Sequence, residues 1–199
     1  MGIEMRFDEK RTLLRDGREC ILRSPEAGDA KSVLKYLFQV SGETHFMVRY
    51  PEECMMTIEQ EETFLEGIIA ADSPEVYIAA WVDGEFAGAV SVNRQGDRIK
   101  MRHRAGLGIA VLQKYWGLGL GTILMLSALE AAKEAGYYQV ELGVFADNAK
   151  AIALYEKMGF EKWGVTRNAF RLKDGTMIDE IMMGKILFTH SYDACRNED

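Results

Sequence analysis

The chain has 199 residues, of which 48% are hydrophobic and 28% charged, and its formal charge is −7. That balance is the one of an ordinary globular protein whose core needs no disulfide or metal staple, and the length suits one domain. The acidic surplus argues against a general nucleic-acid binder, which carries a basic patch.

Cys20, Cys54 and Cys195 are far apart and make no C-x-x-C pair or Cys/His cluster, so neither a disulfide framework nor a metal site is expected. The opening "MGIEMRFDEKRTLLRDG" lacks the apolar stretch of a signal peptide, and Arg6 stands where a myristoylation signal needs Ser or Thr. Residues 1–18 are expected to form a charged, loosely attached arm, ahead of a single domain at 19–190 and a tail at 191–199. No apolar run approaches the ~20 residues of a membrane span. The expectation is a cytoplasmic protein with reduced thiols and no membrane or nucleic-acid partner.

"CILRS" (20–24) reads as a strand. "PEAGDAKSVLKYLFQV" (25–40) reads as a helix, with Asp29 placed to cap it and Val33, Leu34, Leu37 and Phe38 on one face. A second helix opens at Thr57, where "TIEQ" has the capping-box pattern, and Ile58, Leu65, Ile68 and Ile69 give an incomplete apolar face. "VYIAAWVDGEFAGAVSV" (76–92) is a hairpin around Asp83-Gly84. Next come a strand, "AGLGIAVL" (105–112), and a helix, "TILMLSALEAAKEAG" (122–136), ended by Gly136. A strand, "YQVELGVF" (138–145), and a short helix, "NAKAIALYEKMG" (148–159), lead to two closing antiparallel strands in "FEKWGVTRNAF" and "TMIDEIMMGKIL". The order β-αα-βββ-α-β-α-ββ predicts an α/β (α+β) fold with a mostly antiparallel mixed sheet flanked by helices.

"KYWGLGLGTILM" (114–125) sets three glycines at the threshold of a helix. It is not a P-loop, which needs Gly-Lys-Ser/Thr, nor a dinucleotide fingerprint, because the last required glycine falls on Thr122. Gly117, Gly119 and Gly121 can still turn several N–H groups toward one point, beside the free N–H groups and dipole of the following helix. That makes either an anion cradle or a tight strand-to-helix turn. Further on, Asn148, Ala151, Ile152 and Tyr155 lie at i, i+3, i+4 and i+7 and share one helix face. Asn148 can cap the helix or bond a ligand amide, and Tyr155 is either a placed hydroxyl or a core aromatic.

These two segments together resemble the GNAT superfamily of acyl-CoA-dependent N-acetyltransferases, over roughly residues 20–187. The family's pyrophosphate loop, Arg/Gln-x-x-Gly-x-Gly/Ala, is matched by Trp116-Gly117-Leu118-Gly119-Leu120-Gly121, with Trp116 in place of the Arg or Gln. "VELGVFADNAKAIALYEKMGF" is similar to the family's next strand and helix. The resemblance implies a GNAT-like sheet and acetyl-CoA as co-substrate. It implies CoA contacts from Ala110 and Val111, from Trp116, Gly117, Leu118, Gly119, Leu120, Gly121 and Thr122, and from Asn148, Ala151 and Tyr155. Closing strands that meet a neighbour's make a homodimer compatible by analogy.

The implied reaction is direct acetyl transfer to an amine, which must be neutral to attack. A backbone N–H near Ala110–Val111 would hold the carbonyl oxygen, and Tyr155 would give a proton to the thiolate. The strand "HRAGLGIAV" lacks the glutamate that many relatives carry. His103, Glu43 and Glu141 are the base candidates, and the choice stays open. Residues 51–67 hold six glutamates and no Lys or Arg, a field that suits a small amine or polyamine-like acceptor. Protein or peptide N-termini, and a non-catalytic acyl-CoA sensor, are the alternatives.

Overall fold

The computed structural model describes residues 6–70 and 75–188. Within them, eight strands form one sheet: β1 (Lys10–Leu13), β2 (Glu19–Arg23), β3 (Glu75–Val82), β4 (Glu85–Arg94), β5 (Arg104–Val111), β6 (Gln139–Phe145), β7 (Glu161–Arg171) and β8 (Met177–Ile186). Four helices join them: α1 (Ala30–Glu43), α2 (Ile58–Ile68), α3 (Leu120–Glu134) and α4 (Ala149–Lys157). The strand order is β1-β2-β3-β4-β5-β6-β8-β7. All neighbours run antiparallel except β5 and β6. This is the mostly antiparallel α/β sheet expected, with one more strand at its start.

That strand corrects the arm. Lys10–Leu13, inside the segment expected to hang loosely, pairs with Glu19–Leu22 as the sheet's edge, and the domain therefore begins before residue 19. Its charges face solvent along an edge, where they do not obstruct pairing, and Phe7 and Leu14 are buried beneath. The tail at 191–199, with Cys195, lies outside the described residues.

Local signals explain most boundaries. Thr57 Oγ1 accepts the Gln60 N–H while Gln60 Oε1 accepts the Thr57 N–H, the reciprocal box that starts α2. Asp83 and Gly84 have φ of 52° and 75°, the left-handed pair that a two-residue hairpin requires. In α1 the buried face is Val33, Tyr36 and Val40, and Phe38 is 59% exposed, so the expected apolar stripe is rotated. Asp29 precedes α1 but spends its carboxylate on Arg23 and the Glu26 N–H. The gap in the α2 stripe is filled by a carboxylic acid, Glu61, which is 1% exposed.

β4 is buried residue after residue from Phe86 to Val90, so both its faces are covered, and α1 and α3 each pack on it. The parallel pair is short. Only Arg104–Gly106 register with Gln139–Glu141; β5 then continues against β4 to Val111, and β6 against β8 to Phe145. The two strands part after residue 106, and a cleft opens between them. Below the parting, Arg104 holds Glu141 through two bonds of 2.6 Å each.

Arg104 is the leading cause that keeps the Glu141 carboxyl below the ordinary range. Removing the cation leaves a mostly buried carboxylate unpaired, so Arg104→Ala is expected to lose about 2 kcal/mol at pH 7. A carboxylate with a depressed folded pKa contributes stability above its unfolded pKa and loses it as pH falls. The deficit should therefore shrink below pH ~4.5, as Glu141 protonates. Urea denaturation of both proteins at pH 7 and pH 4 checks this.

Candidate active site

A cavity of about 530 Å³ fills the cleft. Its walls come from β4, β5 and β6, from α1 and the loop after it, from the glycine stretch, from α4 and from β7–β8.

The glycine stretch is a left-handed turn followed by a helix start. Gly117 and Gly119 have φ of +77° and +91°, angles that a side-chain-bearing residue adopts at a penalty, and Gly119 is the residue before the first turn of α3. The first N–H groups of α3 have no partner within the helix. Gly121 lies close to α4: a Cβ there would come within 3.1 Å of a Leu154 methyl. The β1–β2 turn braces the loop from outside, with the Arg15 N–H donating to the Leu118 carbonyl at 3.0 Å and its guanidinium to the Gly117 carbonyl at 3.3 Å.

Trp116, Gly117 and Gly121 line the cavity, together with Ala110, Val111, Asn148, Ala151 and Tyr155. Leu118, Gly119, Leu120 and Thr122 do not; Leu120 is fully buried in the core, which leaves its backbone as its one route to a ligand. The Trp116 indole N–H donates to the Val111 carbonyl at 2.7 Å, and the Lys150 ammonium sits 4.9 Å from the ring centroid. A cation from α4 thus stands beside the position where the loop pattern has arginine or glutamine.

Asn148 caps α4: its Oδ1 accepts the Ala151 N–H at 3.2 Å, and the amide NH2 is the half that can donate to a ligand. Tyr155 is 7% exposed, and burial pushes its hydroxyl up to about 12. The Tyr36 hydroxyl donates to the Ala110 carbonyl at 2.8 Å, which ties α1 to β5 beside the cleft.

The base candidates separate. His103 lies at the N-terminal end of β5, exposed, 6.5 Å from the Tyr138 ring and outside the cavity. It is removed from the chemistry because the cleft opens at the other end of that strand. Glu141 sits in the zipped part, paired with Arg104. Glu43 lines the cavity, but one oxygen accepts the Gln113 N–H at 2.7 Å and the other the Gln39 amide at 3.0 Å. Its carboxylate anchors the approach to the glycine stretch.

Three charged groups in the cavity were not singled out from the sequence: Lys150, Glu180 and Arg49. Glu180, on β8, folds its carboxyl over Gly143 so closely that a Cβ there would overlap Oε1. Arg49 comes from the loop after α1. The alternation Ile178, Glu180, Met182 was the one available hint, a carboxylate on a face otherwise apolar. Phe145 stacks on Phe170 at 3.8 Å and 9°, with Phe46 edge-on to Phe145 at 6.2 Å. None of residues 51–67 lines the cavity, and Glu52 is paired with Lys173. The acidic segment is therefore not part of the pocket wall: Glu61 is buried, and the other five glutamates are exposed or half-buried.

Comparison with known proteins agrees with this geometry. Residues 38–160 match the model of the acetyltransferase (GNAT) family. The chain is 32% identical over 118 residues to the L-amino acid N-acetyltransferase AaaT of Escherichia coli, covering 58% of this chain and 72% of that protein. An acetyltransferase of the GNAT family from Streptococcus pneumoniae superposes with a TM-score of 0.79 at 31% identity, covering 84% of this chain and 99% of that one. A Salmonella typhimurium acetyltransferase with its cofactor acetyl-CoA shares the fold at a TM-score of 0.75 and 18% identity, covering 88% and 99%. The chain belongs to the GNAT family: it is an N-acetyltransferase that uses acetyl-CoA. Among the described residues, no helix is long and apolar enough to cross a membrane.

The left-handed turn generates a test. At φ +91° a Cβ is strained whatever the space around it, so Gly119→Ala is expected to lose about 1–2 kcal/mol of stability. By shifting the N–H groups of the loop it should also weaken CoA binding about tenfold, or about 1.4 kcal/mol. Calorimetric titration with CoA, beside urea denaturation, reads both.

Proposed function

Because the chain is a GNAT acetyltransferase, we propose that it moves the acetyl group of acetyl-CoA directly to the primary amine of a small acceptor, with Tyr155 as general acid and Glu180 as the group that receives the amine's proton. The observation that carries this reading is that one cavity joins a glycine turn at a helix start, the unzipped edge of β5, a buried tyrosine and a carboxylate between aromatic walls.

The chain's own groups divide the work. N–H groups of the glycine stretch and the first turn of α3 suit the diphosphate, with Lys150 beside them. The inward backbone of β5 past Gly106, freed from β6, suits the amides of the pantetheine arm, and the Asn148 NH2 adds a donor. A backbone N–H at Ala110–Val111 holds the carbonyl oxygen as charge develops on it. An alkyl ammonium titrates near pKa ~10, so the site must accept a proton before attack. Glu180 takes it directly or through water. When bound, acetyl-CoA supplies the thioester carbonyl: the amine lone pair forms the C–N bond and the C–S bond breaks. Tyr155, whose hydroxyl stays protonated up to about pH 12, gives its proton to the departing sulfur. The cytoplasm, where acetyl-CoA is available, is the expected location. β7, the outer strand, offers the free edge that a second copy would use.

Tyr155→Phe is expected to lower kcat by about 10²-fold or more, with little change in CoA affinity. The pH dependence has a definite sign. An acid with a pKa of about 12 remains competent as pH rises, so wild-type kcat should show no descending limb between pH 7 and 10.5. Thiol release across an amine panel, with CoA titrations of both proteins, measures this. Wild-type protein that binds CoA but releases no thiol with any amine would mark a sensor and overturn the reading.

A further inference from the structure

Resting on the acetyltransferase reading, we infer that the acceptor is a free α-amino acid with a large apolar side chain, its carboxylate held by Arg49 and its side chain by the wall of Phe46, Phe145 and Phe170. Arg49 lines the cavity and, among the described residues, has no carboxylate within ion-pair distance. Its charge is nonetheless felt deep in the site. Burial raises the hydroxyls of Tyr36 and Tyr77 and the carboxyl of Glu61, and in each case Arg49 opposes the shift. Arg49, Tyr36 and Tyr77 line the same cavity, and burial raises the Glu61 carboxyl behind them. An unpaired guanidinium above an apolar cleft is a receptor for a planar anion, which it can hold through two parallel bonds.

The opposite wall supplies the rest. Glu180 lies over Gly143 on the β6–β8 side, and Phe145, its register partner, leads into the stack with Phe170. A cation, a carboxylate and an aromatic surface around one space match the three parts of an α-amino acid: carboxylate, amine and side chain. A polyamine fits poorly. It needs a carboxylate for each ammonium, whereas the cavity presents Glu180, a Glu43 already bonded, and the like charges of Arg49 and Lys150. A peptide N-terminus offers the amine and side chain but no anion in the place Arg49 would read.

The test is thiol release at saturating acetyl-CoA with L-phenylalanine, L-leucine, glycine, L-phenylalaninamide, the dipeptide phenylalanylglycine and spermidine. Phenylalanine and leucine should exceed the amide and the dipeptide in kcat/KM by about tenfold or more, since a lost charge-assisted, two-bond pair is worth at least that. The amide's amine deprotonates more readily, so the bias runs against the expected result. Arg49→Gln should bring phenylalanine down to the level of the amide through KM, and Arg49→Lys should restore part of the preference. Equal or better turnover of the amide or the dipeptide, glycine as good as phenylalanine, or spermidine as the best acceptor would each overturn the assignment while leaving an acetyltransferase. No thiol release with any amine would instead remove the catalytic reading, and this acceptor with it.

Discussion

The site depends on where two parallel strands stop pairing. β5 and β6 share three register pairs and then separate, while each stays bonded to its outer neighbour. Separation therefore exposes one row of backbone N–H and C=O groups on each inner edge without unravelling either strand. Such groups must be satisfied by something when water is displaced. An extended ligand with amides along its length does this as a third strand would, which is why the cleft suits a pantetheine arm. The Arg104–Glu141 pair spans the bonded stretch, from its first position on β5 to its last on β6, just before the strands diverge.

Chain segments from far apart then fix the cleft's rims. The glycine stretch is held outside by the β1–β2 turn through Arg15 and on its approach by Glu43, which takes the Gln113 N–H. The charged N-terminal segment is thus structural: it braces the turn whose angles only glycine adopts cheaply. Opposite, the β7–β8 hairpin is tied to the loop after α1, where the Tyr50 hydroxyl accepts the Lys173 N–H at 3.0 Å. That tie places Phe170 and Glu180 against Phe46 and Phe145 and closes the aromatic side.

What was legible in the sequence is what is local in the chain. Gly117 to Gly121, the Thr57 box and the Asn148–Tyr155 face carry their local structure within one or two turns, and the left-handed glycines, the capping box and the Asn148 cap are all present. Arg49 and Glu180 lie more than a hundred residues apart and acquire a shared role only when β8 is laid beside β6. Glu43 illustrates the converse. Its place near the acceptor region was readable, but its bonds to Gln39 and Gln113 were not, and they determine whether a carboxylate is free. His103 failed for a directional reason: proximity to β5 in sequence says nothing about which end of the strand opens. Phe38 is exposed because Tyr36, a polar-tipped aromatic, took the core position beside Val33 and used its hydroxyl on β5.

The distribution of protons follows from the same burial. Tyr36, Tyr77 and Tyr155 all have hydroxyls pushed upward by desolvation, so this floor is a low-dielectric surface that favours neutral groups. It is suited to giving a proton to a leaving thiolate and poorly suited to taking one from an ammonium. The group that accepts the proton must therefore lie off that floor, closer to water. Half-buried Glu180, on the far wall, meets that condition, whereas burial raises the Glu61 carboxyl and disfavours its charged form. In the proposed mechanism the acid and the base stand on opposite sides of the cleft, an arrangement that requires the strands to have parted.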